Sequence, residues 1–389
     1  MSLDAKPLAV DLFSGAGGLS IGLKNAGFHI VLANEIEEDF ARTFMMNHSS
    51  TNLLCNDIHE IDFAEELNKM SIKNVDLVAG GPPCQGFSTV GARNEKDPRN
   101  SLFHEFLRAI AEINPHYLIF ENVAGFYSMY NGATYRKLIN ELGELGYDTR
   151  SALLDGSDFG LPQIRKRTIV IGWKKGLSEV ALPASTHFDG NSLFHLRQKL
   201  TLMDAISDLP ALEANDAKFF YTKEPQNEYQ YCLRNGAKNL TEHNSANYGP
   251  RMLEILSSIP PGGTVNDLPP RLTPKKCFAN TYARLSPNQP VPTITRNFGT
   301  PSSSRCVHPF QNRALSTREG ARLQGFPDTY IFYGSKVAKN LQIGNAVPPI
   351  LGEVIAKEII KASQRQREVS NSLDRNTVTS PFQARLGIQ

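Results

Sequence analysis

Through residue 173 short apolar runs alternate with segments of helical spacing, an order that confines the chain to an α/β fold built on βαβ units. Residues 7–13 form an apolar run, a glycine loop follows, and residues 19–26 have helical spacing. Residues 29–36 then read as a second strand and 37–47 as a second helix. Further strands are expected at 75–79, 116–123 and 168–173. Between them Leu102, Phe103, Phe106, Leu107, Ile110 and Ile113 repeat at i, i+3, i+4 and i+7, which marks one buried helix face. Around Gly176 the alternation stops. The stretch to about residue 275 is polar, irregular and rich in Asn, Tyr and basic residues, and it is expected to form a second, smaller domain. Patterning resumes near Tyr282, an apolar helix is expected at 350–360, and the polar tail from Ser363 is expected to fray.

Chemistry points first to residues 80–88, Gly-Gly-Pro-Pro-Cys-Gln-Gly-Phe-Ser, directly after the 75–79 run. The carboxyl ends of strands are where open α/β sheets bind ligands. Two prolines fix the chain just before Cys84, and the glycines permit close approach, so a nucleophile ends a stiff platform. A lone cysteine there also suits a buried, inert role. The five cysteines (Cys55, Cys84, Cys232, Cys277 and Cys306) are widely spaced and form no C-x-x-C pair, which argues against a disulfide framework or a zinc site. No metal is expected. The formal charge of +2 and pI near 8.2 require any nucleic-acid surface to be a local patch. No apolar stretch approaches the length of a membrane span, and a reducing cytoplasm is the expected setting.

The loop Asp11-Leu-Phe-Ser-Gly-Ala-Gly-Gly-Leu lies between the first strand and first helix, where free amides can face a ligand. Its glycines, Gly15, Gly17 and Gly18, do not follow the G-x-G-x-x-G dinucleotide spacing, which disfavours a nicotinamide oxidoreductase. Glu35 ends the second strand, a position suited to ribose hydroxyls, and Asp57 follows a third short strand. Taken singly, Asp57 also suits a helix cap and Glu35 a surface position. Glu121-Asn-Val ends the strand next after that of Cys84, so a carboxyl group and a thiol converge. Gln163-Ile-Arg-Lys-Arg opens a further strand, with Arg165 and Arg167 expected on one face.

These blocks, in this order, resemble the cytosine-5 DNA methyltransferases of the prokaryotic modification type. Two more complete the resemblance: Arg318-Glu-Gly-Ala-Arg-Leu-Gln-Gly-Phe-Pro and Gln342-Ile-Gly-Asn-Ala-Val-Pro-Pro. It covers nearly all of the chain except residues 174 to about 275 and the tail. The resemblance implies a Rossmann-like methyltransferase sheet flanked by helices, with a smaller irregular target recognition domain. Residues 1–173 become the catalytic and cofactor-binding domain and 174–275 the recognition domain. Residues 276–362 hold the remaining motifs and return to the catalytic domain, leaving 363–389 as a flexible tail.

By the same resemblance Cys84 adds to carbon 6 of cytosine, Glu121 acts at nitrogen 3, and Arg165 and Arg167 hold the ring's carbonyl oxygen. The implied methyl donor is S-adenosylmethionine, held by Phe13, Ser14, Gly15, Gly17, Gly18, Leu19, Glu35, Ile36, Asp57, Ile58, Pro83, Asn345 and Val347. The implied substrate is double-stranded DNA with the target base flipped out of the helix. Residues 85–100 are expected to close over it, and Arg93, Arg99, Lys275 and Lys276 to grip phosphates. A cognate restriction endonuclease stays open as a partner. A tRNA cytosine methyltransferase shares these motifs, but its Cys-Phe-Thr signature reads Cys277-Phe-Ala here and its recognition region is smaller. A non-catalytic regulator on the same fold is disfavoured by the intact Cys84, Glu121 and Arg165 set.

Overall fold

The structure, a computed structural model, describes residues 6–83, 102–190, 197–278 and 280–378. Eight strands concern the site: β1 (Leu8–Leu12), β2 (His29–Asn34), β3 (Asn52–Leu54), β4 (Leu77–Gly80), β5 (Tyr117–Val123), β6 (Tyr147–Asp155), the two-residue β7 (Gln163–Ile164) and β8 (Lys166–Lys174). All but β7 form one sheet in the order β3-β2-β1-β4-β5-β8-β6, parallel except for β8. The chain leaves β1 toward β2 on one side and later returns to β4 on the other, which opens a crevice at the carboxyl ends of β1 and β4.

Alternation along the strands sorts side chains onto two faces. Val10, Leu12, Val78, Leu118 and Phe120 pack on one side, against α3 (Phe63–Lys69), α4 (Leu102–Ile113) and α5 (Ala133–Glu144). Ala9, Leu77, Ala79, Tyr117 and Ile119 face the other, under α1 (Gly18–Ala26) and the long α11 (Pro349–Val378). Strands buried on both faces need continuous apolar runs, which is why they were legible. β6 escaped notice because its sequence, Tyr-Asp-Thr-Arg-Ser-Ala-Leu-Leu-Asp, is a partly exposed edge with no clean alternation. Where fraying is expected from Ser363, α11 continues to Val378, and residues 379–389 lie outside the described residues. Residues 363–378 contain neither Gly nor Pro, and two bonds anchor the extension, Ser178 Oγ to Gln366 Oε1 and Arg365 Nη2 to the Glu179 carbonyl.

The remaining helices are α2 (Glu38–Asn47), α6 (Leu202–Ile206), α7 (Glu228–Arg234), α8 (Pro250–Ser258), α9 (Thr317–Leu323) and α10 (Lys336–Asn345). A third core joins Leu202, Ile206 and Leu240 to Leu285, Phe298, Leu323, Phe326 and Ile343. Residues 202–240 therefore share packing with 285–346. A separate small core, Ile255, Ile259, Val265, Leu268 and Leu272, organises the α8 segment. Its staple is Arg284, whose guanidinium donates to the carbonyls of Ile259 and Leu256 on one side and of His308 and Gln311 on the other.

Candidate active site

Register brings the strand ends into one row: Asn34 pairs with Leu12, Leu12 with Gly80, and Gly80 with Phe120. The next residues of each strand, Glu35, Phe13, Gly81 and Glu121, consequently emerge side by side. Phe13 takes a φ of 55°, a left-handed conformation that is costly for an aromatic residue. It turns the chain sharply into the glycine loop. The Ser14 hydroxyl and amide both donate to the Asn34 carbonyl, and the Gly15 amide donates to Glu35 Oε2 at 2.8 Å. Glu35 Oε1 accepts from the Glu37 amide, and burial pushes its carboxyl up. Ile36 beside it is 59% exposed, a bare apolar side chain at the mouth of the crevice.

The loop before α11 closes the opposite side. A Cβ on Gly18 would lie 2.3 Å from the Val347 carbonyl, so only glycine lets the loop and residue 347 approach this closely. Val347 also borders Gly81, and Asn345 is exposed at the end of α10. The side chains of Leu19 and Ile58 point into the two sheet cores. Asp57 Oδ1 caps the single turn 58–60 by accepting from the His59 amide and ring nitrogen. The capping reading of this residue thus holds at one of its oxygens.

At the far end of the row Glu121 is buried, and Arg167 Nε donates to its Oε1 at 2.8 Å. Arg167 stands opposite Val123 in the antiparallel pair, so the contact is a diagonal one across β5 and β8. Desolvation pushes the Glu121 carboxyl up, against the opposing fields of Arg167 and Arg165. A Cβ on Gly81 would sit 2.8 Å from Glu121 Oε2, and Asn122 Nδ2 donates to the Pro82 carbonyl. The residues leading to position 84 are thereby fixed against the carboxylate. Pro83 is exposed; Cys84 itself, with Arg93 and Arg99, lies outside the described residues.

Arg165, expected on one face with Arg167, adds its field to that of Arg167 at Glu121 but precedes β8. It lies between β7 and β8, fully buried, with Nη1 donating to the Ile294 carbonyl and Nη2 to those of Gly344 and Ala346 at 2.9 Å each. Its end groups hold the loop that carries Asn345 and Val347, and its Nε has no partner among the described residues. Alternation could not have foreseen this, because the two-residue β7 pairs with residues 291–292 and breaks the strand before Lys166.

A family model described as C-5 cytosine-specific DNA methylase matches residues 9–361. The chain belongs to the C-5 cytosine-specific DNA methylases. It is 34% identical over 360 residues to the Type II methyltransferase M1.HphI of Haemophilus parahaemolyticus, covering 92% of this chain and 87% of that one. Identity to the Type II methyltransferase M.DdeI of Desulfomicrobium norvegicum is 35% over 376 residues, 90% and 88% of the two chains. Among solved structures, one described as a prophage-encoded DNA modification methyltransferase (E. coli) superposes with a TM-score of 0.75 at 27% identity, covering 92% of this chain and 99% of that one. Spodoptera frugiperda DNMT2 gives 0.58 at 17% identity over 91% and 99%, a likeness of fold. The protein is thus an enzyme that methylates carbon 5 of cytosine in DNA, and the tRNA and regulatory alternatives are not favoured.

Two buried groups of the methylase were not singled out from sequence. His48 lies beneath the glycine loop, with Lys24 Nζ 2.7 Å from Nδ1 and Nε2 3.0 Å from the Tyr330 hydroxyl, which donates to the Ala16 carbonyl. Burial and Lys24 push the imidazole down to about 3, so it is neutral and relays hydrogen bonds. No spacing signals a contact between residues 48 and 330.

Asp11 is the second. Its Oδ2 accepts from the Ser20 hydroxyl at 2.6 Å, Oδ1 has no partner among the described residues, and burial pushes the carboxyl up to about 7. An unfolded aspartate titrates near 4. The folded state holds this proton more tightly, so the associated stability is full below about 4 and is lost as pH rises through about 7. Asp11→Asn is expected to raise Tm by several degrees at pH 8, a gain that shrinks toward pH 5 in calorimetric scans. A gain of equal size at every pH would show that Asp11 is not the group being protonated.

Proposed function

We propose that the methylase takes its methyl group from S-adenosylmethionine bound in the crevice at the ends of β1, β2 and β4. What supports this is the fit of the lining: the Glu35 carboxylate, the exposed Ile36, the strained Phe13 and the glycine loop meet Val347 across an open mouth. When bound, the cofactor supplies an electrophilic methyl group. Glu35, already fixed by two amides, suits ribose hydroxyls, while Ile36 and Phe13 suit the faces of adenine, and Asp57 suits its amino group.

The observation that carries the catalytic reading is the buried Glu121–Arg167 pair abutting Gly81. Cys84, three residues further, would add as thiolate to carbon 6 of the flipped cytosine, making carbon 5 nucleophilic. Glu121, its pKa raised by burial, would hold a proton at nitrogen 3 and so stabilise the electron pair that develops in the ring. Arg167 steers Glu121 and offers its remaining nitrogens to the ring's carbonyl oxygen. Arg165 acts as a positioning residue for the loop at 344–346. After methyl transfer, loss of the carbon 5 proton and expulsion of the thiolate release product.

Sequence reading of the DNA is proposed to lie within residues 174–275, and the packing supports a narrower stretch that starts near residue 246 and runs to Phe278, just past that boundary. Residues 202–243 are joined to α9 and its flanks, whereas the α8 segment has its own core and presents Lys275, Lys276 and the 82% exposed Phe278. Mapping methylated cytosines in DNA from expressing cells is expected to show one short motif. Exchanging residues 246–278 for those of a relative of different specificity should change the motif with cofactor affinity held within about twofold. Exchanging all of 174–275 should yield little folded protein, because 202–243 would lose its partners. Scattered methylation would remove the recognition assignment, and a folded 246–278 chimera with the parental motif would remove its placement.

A further inference from the structure

The polar residues of α4 form a strip that the cytosine chemistry does not use. Glu105, Arg108 and Glu112 lie at i, i+3 and i+7, on one face of the helix, and together they grip residues 57–63. Arg108 Nη2 donates to the Ile58 carbonyl at 2.6 Å and Nη1 to the Ile61 carbonyl at 2.9 Å. Its Nε is held by Glu105 at 2.7 Å and its Nη1 by Glu112 at 2.6 Å. Glu112 in turn accepts from the Phe63 amide at 3.0 Å, and the guanidinium lies over the Phe63 ring. One side chain therefore fixes both ends of the turn 58–60, the turn that Asp57 caps. Only a planar fork can reach two carbonyls and two carboxylates at once; a lysine ammonium is a point.

We propose that Arg108 is a positioning residue for the cofactor, acting through Asp57: it sets the height of the 57–61 turn so that the carboxylate meets the adenine amino group. The inference rests on the reading of Asp57 as a cofactor contact.

The test is a double-mutant cycle on the full chain, with S-adenosylmethionine affinity measured by calorimetry. Asp57→Ala and Arg108→Lys are each expected to weaken binding about tenfold, and the double variant no more than about twofold further, because both remove the same contact. For Arg108→Lys the KM for cofactor should rise while kcat at saturating cofactor and the KM for DNA stay within about twofold. A purely structural arginine would instead lower Tm and kcat together. Wild-type affinity in Arg108→Lys, or a roughly hundredfold loss in the double variant, overturns the inference and leaves Asp57 as a contact. Unchanged affinity in Asp57→Ala overturns the Asp57 reading and the inference with it.

Discussion

Duplex DNA carrying 5-fluorocytosine at the target is expected to become joined to the methylase by a bond that survives denaturant, and only in the presence of the methyl donor. Thiolate attack at carbon 6 and methyl transfer at carbon 5 can both proceed on this base. Fluorine cannot then leave as a cation, so the electron pair needed to expel the thiolate never forms. The adduct should map to a peptide containing Cys84, and Cys84→Ala should abolish it while retaining DNA binding. Glu121→Gln should still form it, but about 10²–10⁴-fold more slowly, because proton transfer at nitrogen 3 rather than the nucleophile is impaired. Glu121 is suited to that task by its setting: burial pushes its carboxyl up while Arg167 at 2.8 Å keeps it from drifting further. An adduct at Cys55, Cys232, Cys277 or Cys306, or full methylation by Cys84→Ala, would sink the covalent mechanism.

Arg322→Ala is expected to cost about 3–5 kcal/mol of stability, the range for removing one partner of a buried ion pair. The Arg322 side chain is wholly buried and donates to both oxygens of Asp328, to both of Asp208 and to the Ala205 carbonyl. Burial alone would raise the Asp328 carboxyl, yet bonding to Arg322 leaves it lowered. Arg234 and Arg318 are secondary partners of these carboxylates, Arg234 at 2.8 Å from Asp208 and Arg318 at 3.8 Å from Asp328. Without Arg322 two carboxylates stay buried and under-compensated, and Tm should fall by roughly 5 °C in a protein of this size. Arg322→Lys should recover only part, since one ammonium cannot span three acceptors. A variant melting within about 2 °C of the parent would show that the cluster is not what joins residues 202–234 to α9. The same cluster is the reason for expecting a wholesale exchange of 174–275 to fail.

Residues close in sequence were the legible ones. β1, β2, β4, β5, β8 and the apolar face of α4 follow from local periodicity, because a strand buried on both sides or a helix buried on one must show it. Placing Glu35, Phe13, Gly81 and Glu121 at strand ends needed only that pattern, and the order of the motifs needed only the linear chain. Arg165 shows where this ends. From sequence it was one of two arginines on a strand face, but its hydrogen-bonding partners are the carbonyls of residues 294, 344 and 346. Asp57 was read as either a cap or a ligand, and its turn proves to be held by Arg108, some fifty positions away.

The sequence by itself determined the residue types at the strand ends and the α/β core, since each is set by neighbours within a few positions, and it determined the reaction class through the resemblance of its ordered motifs to a known family. Only the tertiary structure decided which buried polar groups answer one another: Arg322 with Asp208 and Asp328, Tyr330 with His48 and Ala16, Arg108 with the 58–61 turn. A buried charge or donor must find a partner wherever the fold provides one, and that requirement carries no period along the chain.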